Sequence, residues 1–308
     1  MNQRRLGSGG FGLGAALSVL SALLLVHCGS SSDPAAPTPV PIPPPPSTTP
    51  VLVGAGDIGD CTHSDIVATA KLLDGISGTV FTTGDNVYDG PTAEHYANCY
   101  GPTWGRQLLR TRPTLGNHDY DPPGTWTYYE YFGAAAGDPG VGYYSYDLGG
   151  WHILAIDSNQ SLRAGSAQLA WVEGDVLAHA APCTLAYWHH PLFSSGNHND
   201  GQVFIRDLWR VLYKYGVDVV LNGHEHFYER FAPQDPDGNA DPAKGIRQFT
   251  AGTGGAPLYG FSTPLKTSES RGTVHGVLKI TLQGNAYLWE FIPVAGQTFR
   301  DGGAGTCH

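Results

Sequence analysis

The stretch Thr79-Val80-Phe81-Thr82-Thr83-Gly84-Asp85-Asn86-Val87-Tyr88 holds the pattern from which the fold follows. Its first half is β-branched and aromatic and ends in glycine, which predicts a buried strand over 79–83 that feeds a tight turn. Asp85 then stands at the carboxyl end of the strand, where open α/β sheets bind their ligands. Because Gly-Asp is also a common pair in ordinary turns, Asp85 alone does not define a site.

Four further strand-like runs end in the same way, each in a residue type that binds metal ions. The runs and the residues that follow them are 51–55 with Asp57, 112–115 with Asn117, 184–188 with His189, and 217–221 with His224 and His226. A lone aspartate or histidine at such a position is more often a turn or surface residue than a ligand. Five such loops in order favour one shared site.

The other elements follow from apolar periodicity. Helices are predicted over 64–74, with Ser64 as the cap, over 166–180 and over 204–215, and a hairpin over 143–156 turns at Gly149-Gly150. The strand–helix–strand order predicts a parallel sheet. Residues 121–143 are expected to form a loop over one end of it. Strands over 246–250, 274–282 and 285–292 are expected to form a second, mostly antiparallel sheet packed on the first.

The bulk composition suits one large, loop-rich domain over 51–308. The formal net charge is −10, and the 17 lysines and arginines are scattered along the chain. Proteins that bind nucleic acid carry a clustered basic surface, so nucleic acid is excluded as the expected partner.

The N-terminus resembles a bacterial lipoprotein signal over residues 1–28. Arg4 and Arg5 precede an apolar run over 11–26, and Cys28 follows it directly, although His27 stands where that pattern has a small residue. The alternative is an ordinary cleaved signal peptide. Residues 29–50 are rich in proline and predict an extended linker. The expected location is therefore outside the cytoplasm: a membrane-anchored lipoprotein on the periplasmic or cell-surface side, or a secreted protein.

Four cysteines remain in an exported domain, which predicts disulfide bonds with three possible connectivities. We favour a bond between Cys61 and Cys99, because both lie in loops near the candidate ligands. Buried free thiols are the alternative.

The candidate ligands combine carboxylates, imidazoles, an amide and a phenol: Asp57, Asp85, Tyr88, Asn117, His189, His224 and His226. Such oxygen and nitrogen donors suit hard or borderline metal ions. Seven ligands are too many for one catalytic ion with an open position, and suit two ions that share a carboxylate.

These blocks together resemble the five motifs of the calcineurin-like metallophosphoesterases: Gly56-Asp57-Ile58-Gly59, Gly84-Asp85-Asn86-Val87-Tyr88, Gly116-Asn117-His118-Asp119, His189-His190-Pro191 and Gly223-His224-Glu225-His226. Two further features resemble the purple acid phosphatase branch: Tyr88, and the segment Phe227-Tyr228-Glu229-Arg230 that follows the last motif. The resemblance spans residues 51–292. It implies an α/β fold, a four-layer α/β/β/α sandwich of two mixed sheets flanked by helices.

The resemblance also implies how the ligands divide between two ions. Asp57, Tyr88 and His226 would bind Fe3+ at the first site. Asn117, His189 and His224 would bind Fe2+, Zn2+ or Mn2+ at the second, and Asp85 would bridge both ions.

The implied activity is that of a phosphatase that hydrolyses phosphomonoesters of small molecules by direct attack of a metal-bound hydroxide. His118 and His198 match positions that contact phosphate and protonate the leaving group, and Asp119 is expected to orient His118. His190 and Asp157 are expected to support the ligands. The alternatives are a phosphodiesterase or nucleotidase on the same scaffold, and a non-catalytic, surface-anchored binding protein.

Overall fold

A computed structural model describes residues 49–196, 198 and 203–308. The predicted signal peptide, residue Cys28 and all but the end of the predicted linker lie outside the described residues. Within the described part of the chain, no helix is both long enough and apolar enough to cross a membrane.

Thirteen strands and five α-helices make up the regular structure of the described residues, together with short 3-10 and π segments. The strands are β1 Val51–Ala55, β2 Thr79–Thr82, β3 Thr111–Pro113, β4 Tyr144–Leu148, β5 Trp151–Ala155, β6 Cys183–Tyr187, β7 Val219–Asn222, β8 Tyr228–Phe231, β9 Arg247–Ala251, β10 Ser268–Gly272, β11 Gly276–Gln283, β12 Ala286–Pro293 and β13 Asp301–Thr306. The helices are α1 Asp65–Asp74, α2 Ala93–His95, α3 Trp126–Phe132, α4 Ala167–Ala178 and α5 Arg206–Lys214.

The strands form two mixed sheets. The first has the order β13-β12-β11-β1-β2-β3 and the second the order β10-β8-β9-β7-β6-β5-β4. In the first sheet β1, β2 and β3 run parallel, and in the second β5, β6, β7 and β9 do. The candidate ligands follow the carboxyl ends of five of these strands, β1, β2, β3, β6 and β7.

Three apolar clusters show how the layers pack. One cluster lies between the two sheets and includes Leu52, Leu185 and Leu278. A second joins the outer face of the first sheet to α1 and α3, and a third joins the outer face of the second sheet to α4 and α5. Because both faces of each sheet are covered, the central strands are apolar on both sides. The architecture is the expected four-layer α/β/β/α sandwich.

The composition of the second sheet differs from the sequence expectation. Strands β11 and β12 extend the first sheet, where β11 pairs antiparallel with β1, whereas β9 joins the second sheet parallel to β7. The expectation that these three strands form a sheet of their own is therefore wrong. Alternating apolar residues identify a strand, but they do not specify its partner, which is set by contacts distant in sequence.

Two local predictions also need correction. Residues 121–143 are not only a loop, because they contain α3 and a following 3-10 turn. The aromatic side chains of α3 pack in the cluster on the outer face of the first sheet. Ser64 makes no side-chain hydrogen bond at the start of α1, so it is no cap in the usual sense. By contrast, the Ser166 hydroxyl accepts from the backbone N–H of Leu169 at the start of α4.

Two disulfides join the four cysteines of the domain, Cys61 to Cys99 and Cys183 to Cys307. The first confirms the pairing that we favoured. It fastens the loop after β1 to the segment 96–100. The second fastens the C-terminal end of the chain to the start of β6.

Candidate metal centre

The two sheets bring their ligand loops to one edge of the molecule. Asp57 follows β1, and its backbone N–H donates to the carbonyl of Gly84 in the loop after β2. The Asp57 carboxylate in turn accepts from the backbone N–H of His224, 2.8 Å away, in the loop after β7. Hydrogen bonds therefore hold the loops of the first sheet directly against those of the second.

Three candidate ligands have left-handed backbone conformations. The φ angles are +59° at Asp57, +51° at Asp85 and +68° at His224. Such angles are uncommon and costly for residues with a Cβ, and they cluster at functional sites. In this chain they occur in the tight turns that aim these side chains at the shared edge.

The first cluster consists of Asp57, Tyr88 and His226. The Tyr88 hydroxyl lies 3.0 Å from Asp57 Oδ1 and 2.9 Å from His226 Nε2. His226 Nε2 lies 3.1 Å from the same Asp57 oxygen. Three donor atoms from three separate loops therefore form one small triangle.

The second cluster consists of Asn117, His189 and His224. Asn117 Oδ1 lies 2.9 Å from His189 Nε2 and 3.1 Å from His224 Nδ1. The two histidine nitrogens are 3.2 Å apart. The two clusters have the same members as the two sets of candidate ligands that the family resemblance implies.

Asp85 lies beside the second cluster. Its Oδ2 is 3.3 Å from His189 Nε2, and its Oδ1 accepts from the backbone N–H of His118 at 2.9 Å. Its charge also contributes to the raised pKa of Tyr88 in the first cluster. The charge of Asp85 thus acts on both clusters, as does that of Asp57, which contributes to the pKa of His189 and His224.

Backbone carbonyls set the tautomers of two ligand histidines. His226 Nδ1 donates to the carbonyl of Pro257 at 2.7 Å, and His189 Nδ1 donates to that of Thr83 at 2.8 Å. These bonds direct the Nε2 lone pair of each ring into its cluster. Metal-binding histidines are commonly oriented in this way.

The electrostatics of the centre favour cations. Asp57 and Asp85 are fully buried carboxylates. Burial alone would lower the pKa of His189, but the charge and hydrogen bond of Asp85, the charge of Asp57 and the bond to Thr83 together outweigh burial and raise that pKa to about 9. Burial, together with Asp57 and Asp85, holds the pKa of Tyr88 well above its usual value. Ionisation of this phenol therefore requires a nearby positive charge.

The structure corrects the predicted role of Asp119. His118 Nδ1 lies 2.7 Å from Asp121 Oδ2, so Asp121 is the carboxylate that orients this ring. The buried Asp119 carboxylate accepts instead from the backbone N–H groups of Gly116 and Asn86 and from the Asn86 amide. It connects the loops after β2 and β3. Burial, with a contribution from Asp85, raises its pKa to about 7.

His118 and His198 both lie at the mouth of the centre. The His118 ring is partly exposed and its centroid is 4.6 Å from that of Tyr88. His198 is exposed, and its ring lies 4.9 Å from that of the ligand His224. His118 therefore lies beside the first cluster and His198 beside the second.

His190 lies behind the second cluster. Its ring centroid is 4.9 Å from that of His189 and 4.5 Å from that of His224, and its Nδ1 lies 2.8 Å from the Ser158 hydroxyl. Burial and the two neighbouring histidines lower its pKa far below the usual range. It supports the centre as a neutral ring.

Sequence analysis missed Tyr259. Its ring stacks on that of His226 with centroids 4.0 Å apart and planes within 10°. Its backbone N–H donates to the carbonyl of His226. It lies 33 positions after His226 in a Gly- and Pro-containing segment, and no local pattern marks it.

The donor set fits two metal ions. Each cluster offers oxygen and nitrogen atoms from three side chains within hydrogen-bond distance of one another, and a charged carboxylate lies in or beside each. The phenol of Tyr88 adds a hard oxygen donor to the first cluster, whereas the second contains two imidazoles, a composition typical of sites for borderline divalent ions.

Comparison with known proteins agrees with this geometry. A family model described as calcineurin-like phosphoesterase matches residues 52–228. The chain belongs to this family. The match covers β1 to the first residue of β8, and so includes the loops that carry all seven candidate ligands.

Relatives of this calcineurin-like phosphoesterase include plant purple acid phosphatases. Purple acid phosphatase 21 of Arabidopsis thaliana is 31% identical over 224 residues, which cover 65% of this chain and 49% of the relative. Probable inactive purple acid phosphatase 1 of the same plant is 25% identical over 276 residues, 74% of this chain and 43% of the relative. The chain matches about half or less of the length of these relatives.

Two solved structures share the fold. Purple acid phosphatase PPD1 from yellow lupin (Lupinus luteus) superposes with a TM-score of 0.64 at 20% identity, over 84% of this chain and 54% of the plant protein. GAP50, the anchor in the inner membrane complex of Plasmodium, has the same TM-score at 15% identity, over 84% of this chain and 89% of that protein. The fold alone therefore does not specify catalysis.

Proposed function

We propose that this chain is a dinuclear metal phosphatase of the purple acid phosphatase type, which hydrolyses phosphomonoesters of small molecules. The observation that supports it most is the convergence of Asp57, Tyr88 and His226 in one cluster and of Asn117, His189 and His224 in another. Both clusters lie at one edge of the sandwich, with Asp85 acting on both.

The proposed metal content follows the donor types. Asp57, Tyr88 and His226 would hold Fe3+, and Asn117, His189 and His224 would hold Fe2+, Zn2+ or Mn2+. When bound, two such ions neutralise the charge of a phosphate ester and lower the pKa of a coordinated water.

The other residues of the site would bind the phosphate group and transfer protons. His118 and His198, whose rings lie at the mouth, would hydrogen-bond to the phosphate and donate a proton to the leaving group. Asp121 would keep His118 in the tautomer that presents Nε2 to the substrate. Because the donor must be an imidazolium, activity should be higher on the acid side of neutrality.

The proposed location rests on the sequence pattern of the N-terminal residues and on the disulfides of the domain. A lipidated Cys28 followed by the proline-rich segment over 29–50 would hold the domain at the outer face of a membrane, and cleavage without lipidation would release it. Two disulfides in the domain are in keeping with an oxidising compartment.

The full chain, loaded with iron, can be assayed on p-nitrophenyl phosphate, bis(p-nitrophenyl) phosphate and a nucleoside monophosphate, with metal content measured on the same sample. We expect two metal ions per chain and the highest kcat/KM on the simple monoester. Preference for the diester or for the nucleotide would replace the proposal with the corresponding alternative. Two bound ions without turnover on any substrate would indicate a binding protein.

Asp85→Asn provides the matched test of the shared carboxylate. We expect the Asp85→Asn variant to lose at least one metal ion and nearly all turnover, because the neutral amide does not supply the negative charge that acts on both clusters. Asp74→Asn is the control, since Asp74 lies on α1 and pairs with Arg106 on the surface. Full metal occupancy in Asp85→Asn would contradict the bridging role.

A further inference from the structure

A cavity of about 490 Å³ lies beside the second cluster. Residues 158–163 form most of its lining, and His190 and Phe204 complete it. His190 is the shared wall, because its ring also packs on the rings of His189 and His224. A single side chain, that of His190, therefore lies between the cavity and the rings of the second cluster.

The loop that forms the cavity is tied to the centre. The Tyr120 hydroxyl, two residues after His118, donates to the Asp157 carboxylate at 2.5 Å. Ser158 bonds to His190 on the other side. The Gln168 side chain holds both the N–H and the carbonyl of Asp157, each at 2.8 Å. The loop is thus preformed and loses little freedom when it binds a ligand.

The described lining combines polar side chains with Leu162 and Phe204, and it includes the exposed cation Arg163. Ser158, Asn159, Gln160 and Ser161 line the cavity together with Arg163, and no carboxylate is among the described lining residues. Two acids contact the loop backbone: Asp157 accepts from the N–H of Asn159, and Asp207 accepts from the N–H of Ala164 and pairs with Arg210. An arginine in such a polar recess is suited to a phosphate or carboxylate group.

We propose that residues 158–163 bind the leaving group of the substrate and that Arg163 selects phosphomonoesters whose leaving group carries a second anionic group. The inference rests on the proposed phosphatase activity and names its substrate class. The second group is a phosphate or a carboxylate, for which the Arg163 guanidinium supplies the same paired donors. Phe204, whose side chain is 37% exposed, offers an apolar surface to the carbon skeleton.

The test compares substrates that differ in the second charge. Kinetics are measured on 3-phosphoglycerate against glycerol 3-phosphate, and on fructose 1,6-bisphosphate against fructose 6-phosphate. In Arg163→Gln we expect the ratio of kcat/KM values, doubly over singly anionic substrate, to fall about 5- to 10-fold, chiefly through KM. Arg163→Lys should recover part of the ratio. A fall with fructose 1,6-bisphosphate alone would identify phosphate as the second group, and a fall with 3-phosphoglycerate alone would identify carboxylate.

Arg106→Gln is the control, because it removes an equal charge at the surface, where Arg106 pairs with Asp74, and Arg106 does not line the cavity. An unchanged ratio in Arg163→Gln, or an equal fall in Arg106→Gln, would overturn the inference. Failure of the proposed function itself looks different, since the wild-type chain with two bound ions would then hydrolyse neither these substrates nor p-nitrophenyl phosphate.

Discussion

His118 and Asp121 show how a single side chain is placed for proton transfer. Residues 118–120 form a 3-10 turn, in which side chains three positions apart lie on the same face. Asp121 therefore meets the His118 ring, whereas Asp119 points into the core. The sequence motif identifies His118, but the choice between two nearby aspartates depends on the type of turn, which the motif does not specify.

The first prediction concerns this pair. His118→Ala should keep its metal ions, because its side chain is in neither cluster, yet lower kcat by about 10²- to 10⁴-fold as expected for loss of a proton donor. Asp121→Asn should lower kcat about 10-fold, since the ring remains but its orientation is less fixed. Steady-state kinetics and metal analysis on the same samples are the measurements.

Asp138→Asn is the control for Asp121→Asn, because Asp138 is exposed on a neighbouring loop. If His118→Ala retained more than half of the wild-type kcat, His118 would not be the proton donor.

At the scale of elements, close contacts between loops fix the relative positions of the candidate ligands. Gly116, in the loop after β3, packs directly on the Asp85 side chain and on its backbone nitrogen, and a Cβ at this position would overlap both. The glycine of the motif is therefore needed for close approach. These loops could be located from the sequence because each carries a short local motif, and most of them follow a short apolar strand.

The second prediction follows from that contact. Gly116→Ala should displace Asp85 and lower metal occupancy, with a matching loss of turnover. Gly174→Ala is the control: Gly174 lies within α4, and a Cβ there meets no other atom within 4 Å. The control should raise the free energy of unfolding by about 0.5–1 kcal/mol, as glycine-to-alanine changes do inside helices. Unchanged metal occupancy in Gly116→Ala would show that the loops after β2 and β3 can move apart without loss of metal binding.

At the scale of the whole molecule, Asp301 links the two sheets. It lies at the start of β13 in the first sheet, and its carboxylate accepts from Arg230 and Tyr228 of β8 in the second, both at 2.7 Å. The Trp289 indole N–H of β12 also donates to it. Burial tends to raise its pKa, but the bonds from Arg230 and Tyr228 outweigh burial and hold the pKa below its usual value.

The third prediction is the pH dependence of this link. Because the folded-state pKa is lowered, the stabilisation is complete above the unfolded value of about 3.9 and is lost as the pH falls below it. Asp301→Asn should lower the free energy of unfolding by about 1–2 kcal/mol at pH 7, and the difference from wild type should shrink below pH 4. Denaturant unfolding at several pH values measures it.

Glu290→Gln is the control, since Glu290 lies on the adjacent strand and pairs with Lys279 at the surface. A difference between wild type and Asp301→Asn that stays constant from pH 7 to pH 3 would mean that the Asp301 charge does not contribute.

The pairing of strands that are far apart in the sequence could not be predicted from the sequence. The short strands β8, β10 and β13 have no apolar period of their own, and β13 is mostly glycine and small residues. Their places are set by partners such as Asp301 and Arg230 that are 71 positions apart. The ligand loops, in contrast, carry local motifs and were predictable.

The measurement that tests the account most directly is the visible spectrum and iron content of the iron-loaded full chain, compared with Tyr88→Phe and with Tyr213→Phe. Tyr213 is the control, because it bonds to Asp241 on the far side of α5. We predict a charge-transfer band from Tyr88 to Fe3+ in wild type and in Tyr213→Phe, and its absence in Tyr88→Phe. A band that persists in Tyr88→Phe, or a colourless wild type with two bound iron ions, would contradict the proposed ferric site.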